Sequence, residues 1–230
     1  MDGIEKNLIE VRQRIAEAAA RSGRKPEDVT LVGVTKTVSP DRMLRLISLG
    51  VRDIGENKAQ EMLSKYDEVN AALPVWHFIG TLQKNKVRQI IGKVAMIHSL
   101  DSFSLAEEID TRAGQACARA DVLIEVNIAD ELSKSGIKPE ETRDFAEKVL
   151  NLGNVNLRGL MCIAPFVEKP DANRKYFAKM YELFVDIKER YAHNSFNIDC
   201  LSAGMTIDFE TAVEEGANIV RIGTGIFGER

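Results

Sequence analysis

Leu31-Val32-Gly33-Val34-Thr35-Lys36-Thr37 is an apolar run that closes on a single lysine, and a helical pattern over about 40–49 follows it. A run without polar alternation reads as a strand buried on both faces, and the helix behind it supplies one of the two covers. Outward from this unit the same alternation continues through the chain. Strand-like runs fall at 30–35, 51–55, 75–80, 94–99, 121–127, 156–163, 198–202 and 218–223. Helical patterns separate them at about 40–49, 57–70, 83–92, 102–118, 139–151, 171–192 and 207–215, with a stub near 225–230. Eight strand and helix units predict an α/β fold, a single (β/α)8 TIM barrel forming one domain over residues 1–230. Ile4, Leu8, Val11, Ile15 and Ala18 fall at helical spacing before the first strand, so an extra N-terminal helix ending near Ser22-Gly23 is expected. A doubly wound open sheet is the alternative, but it calls for about five to seven strands and a Gly-rich first turn, which is missing here.

Composition narrows the function. A formal charge of -4 and a pI near 5.6 leave no concentrated basic face for nucleic acid or an anionic membrane. Lys84-Asn85-Lys86-Val87-Arg88 reads as a solvated helix face. No run approaches the roughly 20 apolar residues that span a bilayer, and the first residues, MDGIEKNLIEVRQRIAEAAARSGR, are charged throughout. A soluble, cytoplasmic protein is expected. Three scattered cysteines, Cys117, Cys162 and Cys200, suit a reducing compartment. His77, His98 and His193 are equally dispersed, so no metal site is expected.

In such a barrel the chemistry belongs at the C-terminal ends of the strands. The residues closing the runs are polar there: Lys36, Gly55-Glu56-Asn57, Trp76-His77, Asn127, Met161-Cys162, Ser202-Ala203-Gly204-Met205-Thr206 and Arg221-Ile222-Gly223-Thr224. One lysine, one arginine and several hydroxyl and glycine positions on one rim point to an anionic ligand with a carbonyl. Phosphate commonly binds the loops after the last two strands, where backbone N–H groups at a short helix favour negative charge. Gly223-Thr224-Gly225 before the terminal stub fits that role, with Ser202 and Thr206 as hydroxyl donors; simple tight turns are the other reading. Gly223-Thr224-Gly225-Ile226-Phe227-Gly228 also matches GxGxxG. Lying two residues from the last residue, it leaves no room for a following βαβ unit and is taken as a false positive. Lys36 is either a nucleophile towards an aldehyde or a lysine that snorkels to solvent. A phosphate-bearing aldehyde that meets both requirements is pyridoxal 5'-phosphate (PLP).

Several segments together resemble the YggS/PROSC family of PLP homeostasis proteins. They are Val34-Thr35-Lys36-Thr37, Gly55-Glu56-Asn57, Phe78-Ile79-Gly80-Thr81-Leu82-Gln83-Lys84-Asn85-Lys86, Glu125-Val126-Asn127 with Ser133-Lys134-Ser135-Gly136, Arg158-Gly159-Leu160-Met161, Leu201-Ser202-Ala203-Gly204-Met205 and Val220-Arg221-Ile222-Gly223-Thr224. They cover almost the whole chain in order. Thr81 departs from the proline of the family motif, and Ala203-Gly204-Met205-Thr206 varies its Leu/Met-Gly-Met-Ser pattern. The resemblance implies a barrel related to the N-terminal domain of alanine racemase, holding PLP as an internal aldimine. By matching position, it implies Lys36 as the Schiff-base lysine, Ser202, Gly223 and Thr224 as phosphate contacts, and Arg221 as the partner of the pyridine nitrogen. Asn57, His77, Met161 and Met205 are implied as pocket wall, with a hydrogen-bonded place near the barrel core as the other reading of His77.

Catalysis at an amino acid α-carbon needs an electron sink, usually a ring nitrogen kept protonated by an acid. Arg221 cannot be that acid, because it stays charged and disfavours a second positive charge. The resemblance implies that a racemase would take its second base from a further β domain and a partner subunit; the chain ends at Arg230, and that domain is not expected. Tyr66, Tyr176, Tyr181 and Tyr191 all fall in the predicted outer helices. The expectation is therefore a monomeric, non-catalytic PLP carrier with no catalytic residues, meeting PLP-dependent apo-enzymes transiently. A racemase-like enzyme, or a barrel binding another phosphorylated metabolite without a covalent bond, are the alternatives. The loop at 130–136 reads either as a lid or as an ordinary solvated loop.

Overall fold

Asp2 accepts the Glu5 backbone N–H at 2.8 Å and starts the first helix, α1 (Gly3–Arg21). A computed structural model describes residues 2–131, 135–191 and 197–229. Ile4, Leu8, Val11, Ile15 and Ala18 all face inward from α1, as the spacing predicts, and Gly23, at φ 70°, ends the turn that follows it.

The strands are β1 (Thr30–Val34), β2 (Asp53–Glu56), β3 (Val75–Phe78), β4 (Met96–Leu100), β5 (Ala120–Val126), β6 (Val155–Cys162), β7 (Cys200–Ser202) and β8 (Ile219–Ile222). They form a closed barrel in sequence order, and every neighbouring pair is parallel. Closure pairs Thr30 with Ile219 and Gly33 with Ile222. The outer elements are α2 (Pro40–Ser48), α3 (Ala59–Asn70), α4 (Val87–Ile90), α5 (Phe103–Gln115), α6 (Thr142–Leu150), α7 (Arg174–Arg190), α8 (Phe209–Glu214) and α9 (Thr224–Phe227). This is a TIM barrel preceded by α1. Helix α1 packs over α8 and α9, where Arg14 meets Glu210 at 2.7 Å and the Asn7 amide donates to the Ile226 carbonyl at 3.0 Å. The helix expected at 83–92 is shorter, because Lys84–Lys86 is a 3-10 turn and Gly92 takes φ 77°.

Period-two alternation divides each strand between two cores. Outward residues pack against the helices, as Gly33 does beneath Leu46: a Cβ on Gly33 would stand 2.5 Å from Leu46 Cδ2. Inward residues fill the barrel with Val32, Met96, Leu123, Met161 and Ile219, together with buried His77, His98, Ser202, Glu125 and Arg221. Gly159 is required by a close approach: at φ 149° its Cβ would lie 1.8 Å from the Cys200 carbonyl oxygen, beside a register shift between β5 and β6. Near the N-terminal ends of the strands Arg158 bridges Asp121 at 2.7 Å and Asp199 at 2.8 Å. Among the described residues no helix is long and apolar enough to cross a membrane.

Candidate functional site

The end of β1 is built around a turn. Thr35 is fully buried, and its hydroxyl donates to Glu56 Oε1 at 2.7 Å. Lys65, from α3, donates to the Thr35 carbonyl at 3.0 Å, to Glu56 Oε1 at 3.0 Å and to Glu61 Oε1 at 2.7 Å. Glu61 also accepts the Thr37 backbone N–H. Thr37 sits at φ 60°, a left-handed conformation that a β-branched residue adopts only under outside constraint. Both neighbours of half-buried Lys36 are thus pinned by one carboxylate and ammonium cluster. Burial pushes the Glu56 carboxyl above the usual range, opposed by Thr35 and Lys65. Burial acts the same way on Glu61, but the Lys65 and Thr37 hydrogen bonds outweigh it and hold that carboxyl low.

On β8, the strand next to β1, Arg221 stands in register with Val32 and is buried at 3% exposure. Its Nη1 donates to the Ser202 hydroxyl at 2.6 Å and its Nη2 to the Cys162 carbonyl at 2.9 Å. Burial works against its charge, and Cys162, Glu125 and Asp208 act in the opposite sense; a guanidinium keeps its proton in such a setting. Just beyond β8, Gly223 and Thr224 open α9, where the first helical N–H groups have no intrahelical acceptor. The Gly225 N–H donates to Thr206 Oγ1 at 3.2 Å, and the Thr224 and Thr206 hydroxyls meet at the same distance.

These pieces face one cavity of about 560 Å³. Of the residues predicted from sequence, Lys36, Met205, Arg221, Gly223 and Thr224 line it, with Thr206 beside them. Four others do not line it. The Ser202 hydroxyl, expected to meet phosphate, is fully buried between Arg221 and His98, which it meets at 3.0 Å. Met161 is wholly inside the apolar barrel filling. His77 lies deep in the interior, bonded to His98 at 2.9 Å and Asp53 at 3.0 Å, the second of its two sequence readings. Asn57 is half-buried with its backbone pressed on Gly80, whose Cβ would stand 2.3 Å from the Asn57 carbonyl oxygen.

The far wall was not visible in the sequence. It is the 163–167 stretch after β6, held by Asn173, whose amide donates to the Pro165 carbonyl at 2.9 Å and to Asp208 Oδ2 at 2.8 Å. Asp208 Oδ1 in turn accepts the Met205 N–H at 2.8 Å, so one carboxylate ties two rim loops together. Met205-Thr206-Ile207-Asp208 carries a local signal for this, a side chain closing on a backbone three residues back. Glu131 also lines the cavity, and Asn127 brackets it with bonds of 2.9 and 3.2 Å to the Glu131 carbonyl and N–H. Residues 132–134, the middle of the proposed lid and the Ser133-Lys134 part of its motif, lie outside the described residues. Tyr66, Tyr176, Tyr181 and Tyr191 are on or at the end of α3 and α7, away from the cavity.

The fold and the rim define a barrel of the alanine racemase N-terminal domain class, and that family matches residues 7–230. The pyridoxal phosphate homeostasis protein of Aquifex aeolicus is 45% identical over 223 residues, covering 97% of this chain and 96% of its own. Among solved structures, PipY of Synechococcus elongatus PCC7942 with PLP bound is 32% identical at a TM-score of 0.80, covering 93% of this chain and 100% of its own. A protein described as unknown from Bifidobacterium adolescentis is 34% identical at a TM-score of 0.89, covering 98% of this chain and 94% of its own. This chain belongs to the pyridoxal phosphate homeostasis protein family.

Proposed function

We propose that this chain binds PLP covalently at Lys36 and stores or hands on the cofactor rather than transforming amino acids. The observation that carries this reading is the convergence of Lys36, Arg221 and Gly223-Thr224 on one cavity of about 560 Å³. Those residues fit the group: an amine for its aldehyde, backbone N–H groups and hydroxyls for its phosphate, and a cation for its ring nitrogen. Bound PLP supplies an electrophilic carbonyl and a conjugated ring. The chain's residues do the rest. The Glu56, Lys65 and Glu61 cluster orients Lys36, Thr206 braces the start of α9, and Arg221, fixed from below by Ser202, keeps positive charge where a ring proton would sit. PipY, from the same family, is seen with PLP bound, which supports this assignment.

The non-catalytic part rests on what faces the cavity. No tyrosine or histidine lines it among the described residues; of the two acids that do, Asp208 is committed to Met205 and Asn173, and Glu131 has its backbone bracketed by Asn127. Its mouth is apolar and exposed, with Phe166 at 84%, Ile207 at 44% and Met205 at 40%. That rim suits transient contact with PLP-dependent apo-enzymes by a monomer in the cytoplasm. The chain's place among alanine racemase N-terminal domains favours the second reading, a racemase-like enzyme. Incubating PLP-loaded protein with a panel of L-amino acids, and following racemisation, decarboxylation and α-proton exchange, separates the two. No turnover is expected; sustained turnover abolished by Lys36→Ala would establish the enzyme.

A further inference from the structure

The barrel interior holds a continuous polar line beside the apolar filling of Val32, Met96, Leu123, Met161 and Ile219. It begins at Arg221 on β8, passes the Ser202 hydroxyl at 2.6 Å, His98 Nδ1 at 3.0 Å, then from His98 Nε2 to His77 Nδ1 at 2.9 Å, and ends from His77 Nε2 to Asp53 Oδ1 at 3.0 Å. Asp53 opens β2, so the line reaches the mouth of the barrel opposite the cavity, where the carboxylate is partly exposed. Ser202 and His98 have no exposure at all, and His77 has 4%.

With one proton on each ring, the chemistry of the two ends sets the direction of every bond. A guanidinium only donates and a carboxylate only accepts, so Ser202 Oγ accepts from Arg221, and the arrangement that also suits Asp53 turns the Ser202 proton towards His98 Nδ1. That nitrogen is then the acceptor, which puts the His98 proton on Nε2 and aims it at His77 Nδ1. The His77 proton is consequently on Nε2, and the Asp53 carboxylate receives it. In this arrangement each ring carries its proton on Nε2. Burial, with His77 and Arg221 adding to it, holds His98 well below the usual histidine range, in keeping with a neutral ring. Apolar side chains would fill this space at less cost, since buried polar groups commonly exchange for hydrophobic ones without loss of stability. A fully satisfied network gives a single geometry instead.

We propose that Asp53, His77 and His98 are positioning residues, which through Ser202 hold the Arg221 guanidinium in one orientation at the floor of the PLP cavity. This rests on the PLP reading above and adds residues far from the cofactor to it. Two measurements test it. Nitrogen-15 spectra of labelled histidine in the apo-protein should show His77 and His98 both protonated at Nε2. A ring protonated at Nδ1, or averaging between tautomers, would overturn the column. His77→Leu cuts the line beyond contact with the cavity, while His77→Gln keeps one acceptor and one donor. His77→Leu should weaken PLP binding by roughly three- to tenfold and shift the absorption maximum of the bound cofactor, and His77→Gln should restore most of both. Asp53→Ala, at the partly exposed end, makes the same test in protein whose interior is intact. Wild-type affinity and spectrum in both His77→Leu and Asp53→Ala would overturn the positioning role. Failure to take up PLP, with the tautomers as stated, would overturn the cofactor reading and with it the task given to the column.

Discussion

The Lys65 ammonium lies 3.0 Å from the carbonyl oxygen of Thr35, so the residue before Lys36 is held by a side chain from α3. The same ammonium is the cation for Glu56, which has no exposure. Lys65→Met should therefore destabilise the fold by about 3 kcal/mol, because removing one partner strands a buried carboxylate. Urea unfolding measures this, and Glu56→Leu combined with Lys65→Met should regain most of the loss. A single variant with the wild-type midpoint would contradict the pairing.

Stability should fall as the solution is acidified below about pH 6.5. His98 has a folded-state value well below that of an unfolded histidine, so the unfolded chain binds a proton first. Its contribution is complete above the unfolded value and is lost as pH falls towards the folded one, by about 1.4 kcal/mol per pH unit. The slope between pH 6 and 5, compared in wild type and His98→Gln, isolates this share. Equal slopes would show that His98 does not carry it.

Thr206 should matter for phosphate and not for the ring. Thr206→Val keeps the shape and removes the acceptor of the Gly225 N–H and the partner of Thr224. Affinity for PLP should drop about fivefold, while affinity for pyridoxal, which has no phosphate, stays level. Titration with both ligands checks it, and an equal loss for the two would place the phosphate elsewhere.

Gly159→Ala should cost about 3 kcal/mol or more, since its Cβ would overlap the Cys200 carbonyl and the backbone is at φ 149°. Thermal unfolding reads the loss directly. A change under 1 kcal/mol would mean that β6 and β7 separate more easily than their contact implies.

What could be read from the sequence follows from how each feature is encoded. The barrel is written in local pattern, and all eight predicted strands overlap observed ones, from the run ending at Lys36 to Ile219–Ile222. Lys36, Arg221, Gly223 and Thr224 were legible because the fold alone brings strand ends to one rim. The polar column was not: His98 and Ser202 are 104 positions apart, and each alone is an ordinary interior residue. The bonding of Ser202 was not legible for a related reason, since a serine closing β7 reads the same whether its hydroxyl faces the rim or, as here, meets Arg221. The wall at 163–167 is a loop whose position depends on Asn173 and Asp208, contacts that no periodicity announces.

The most direct test of the central claim is the site of covalent attachment. Protein loaded with PLP, reduced with borohydride and digested should carry the mass of one reduced cofactor on the peptide containing Lys36, and Lys36→Ala should carry none. Modification spread over surface lysines, or undiminished in Lys36→Ala, would contradict the account.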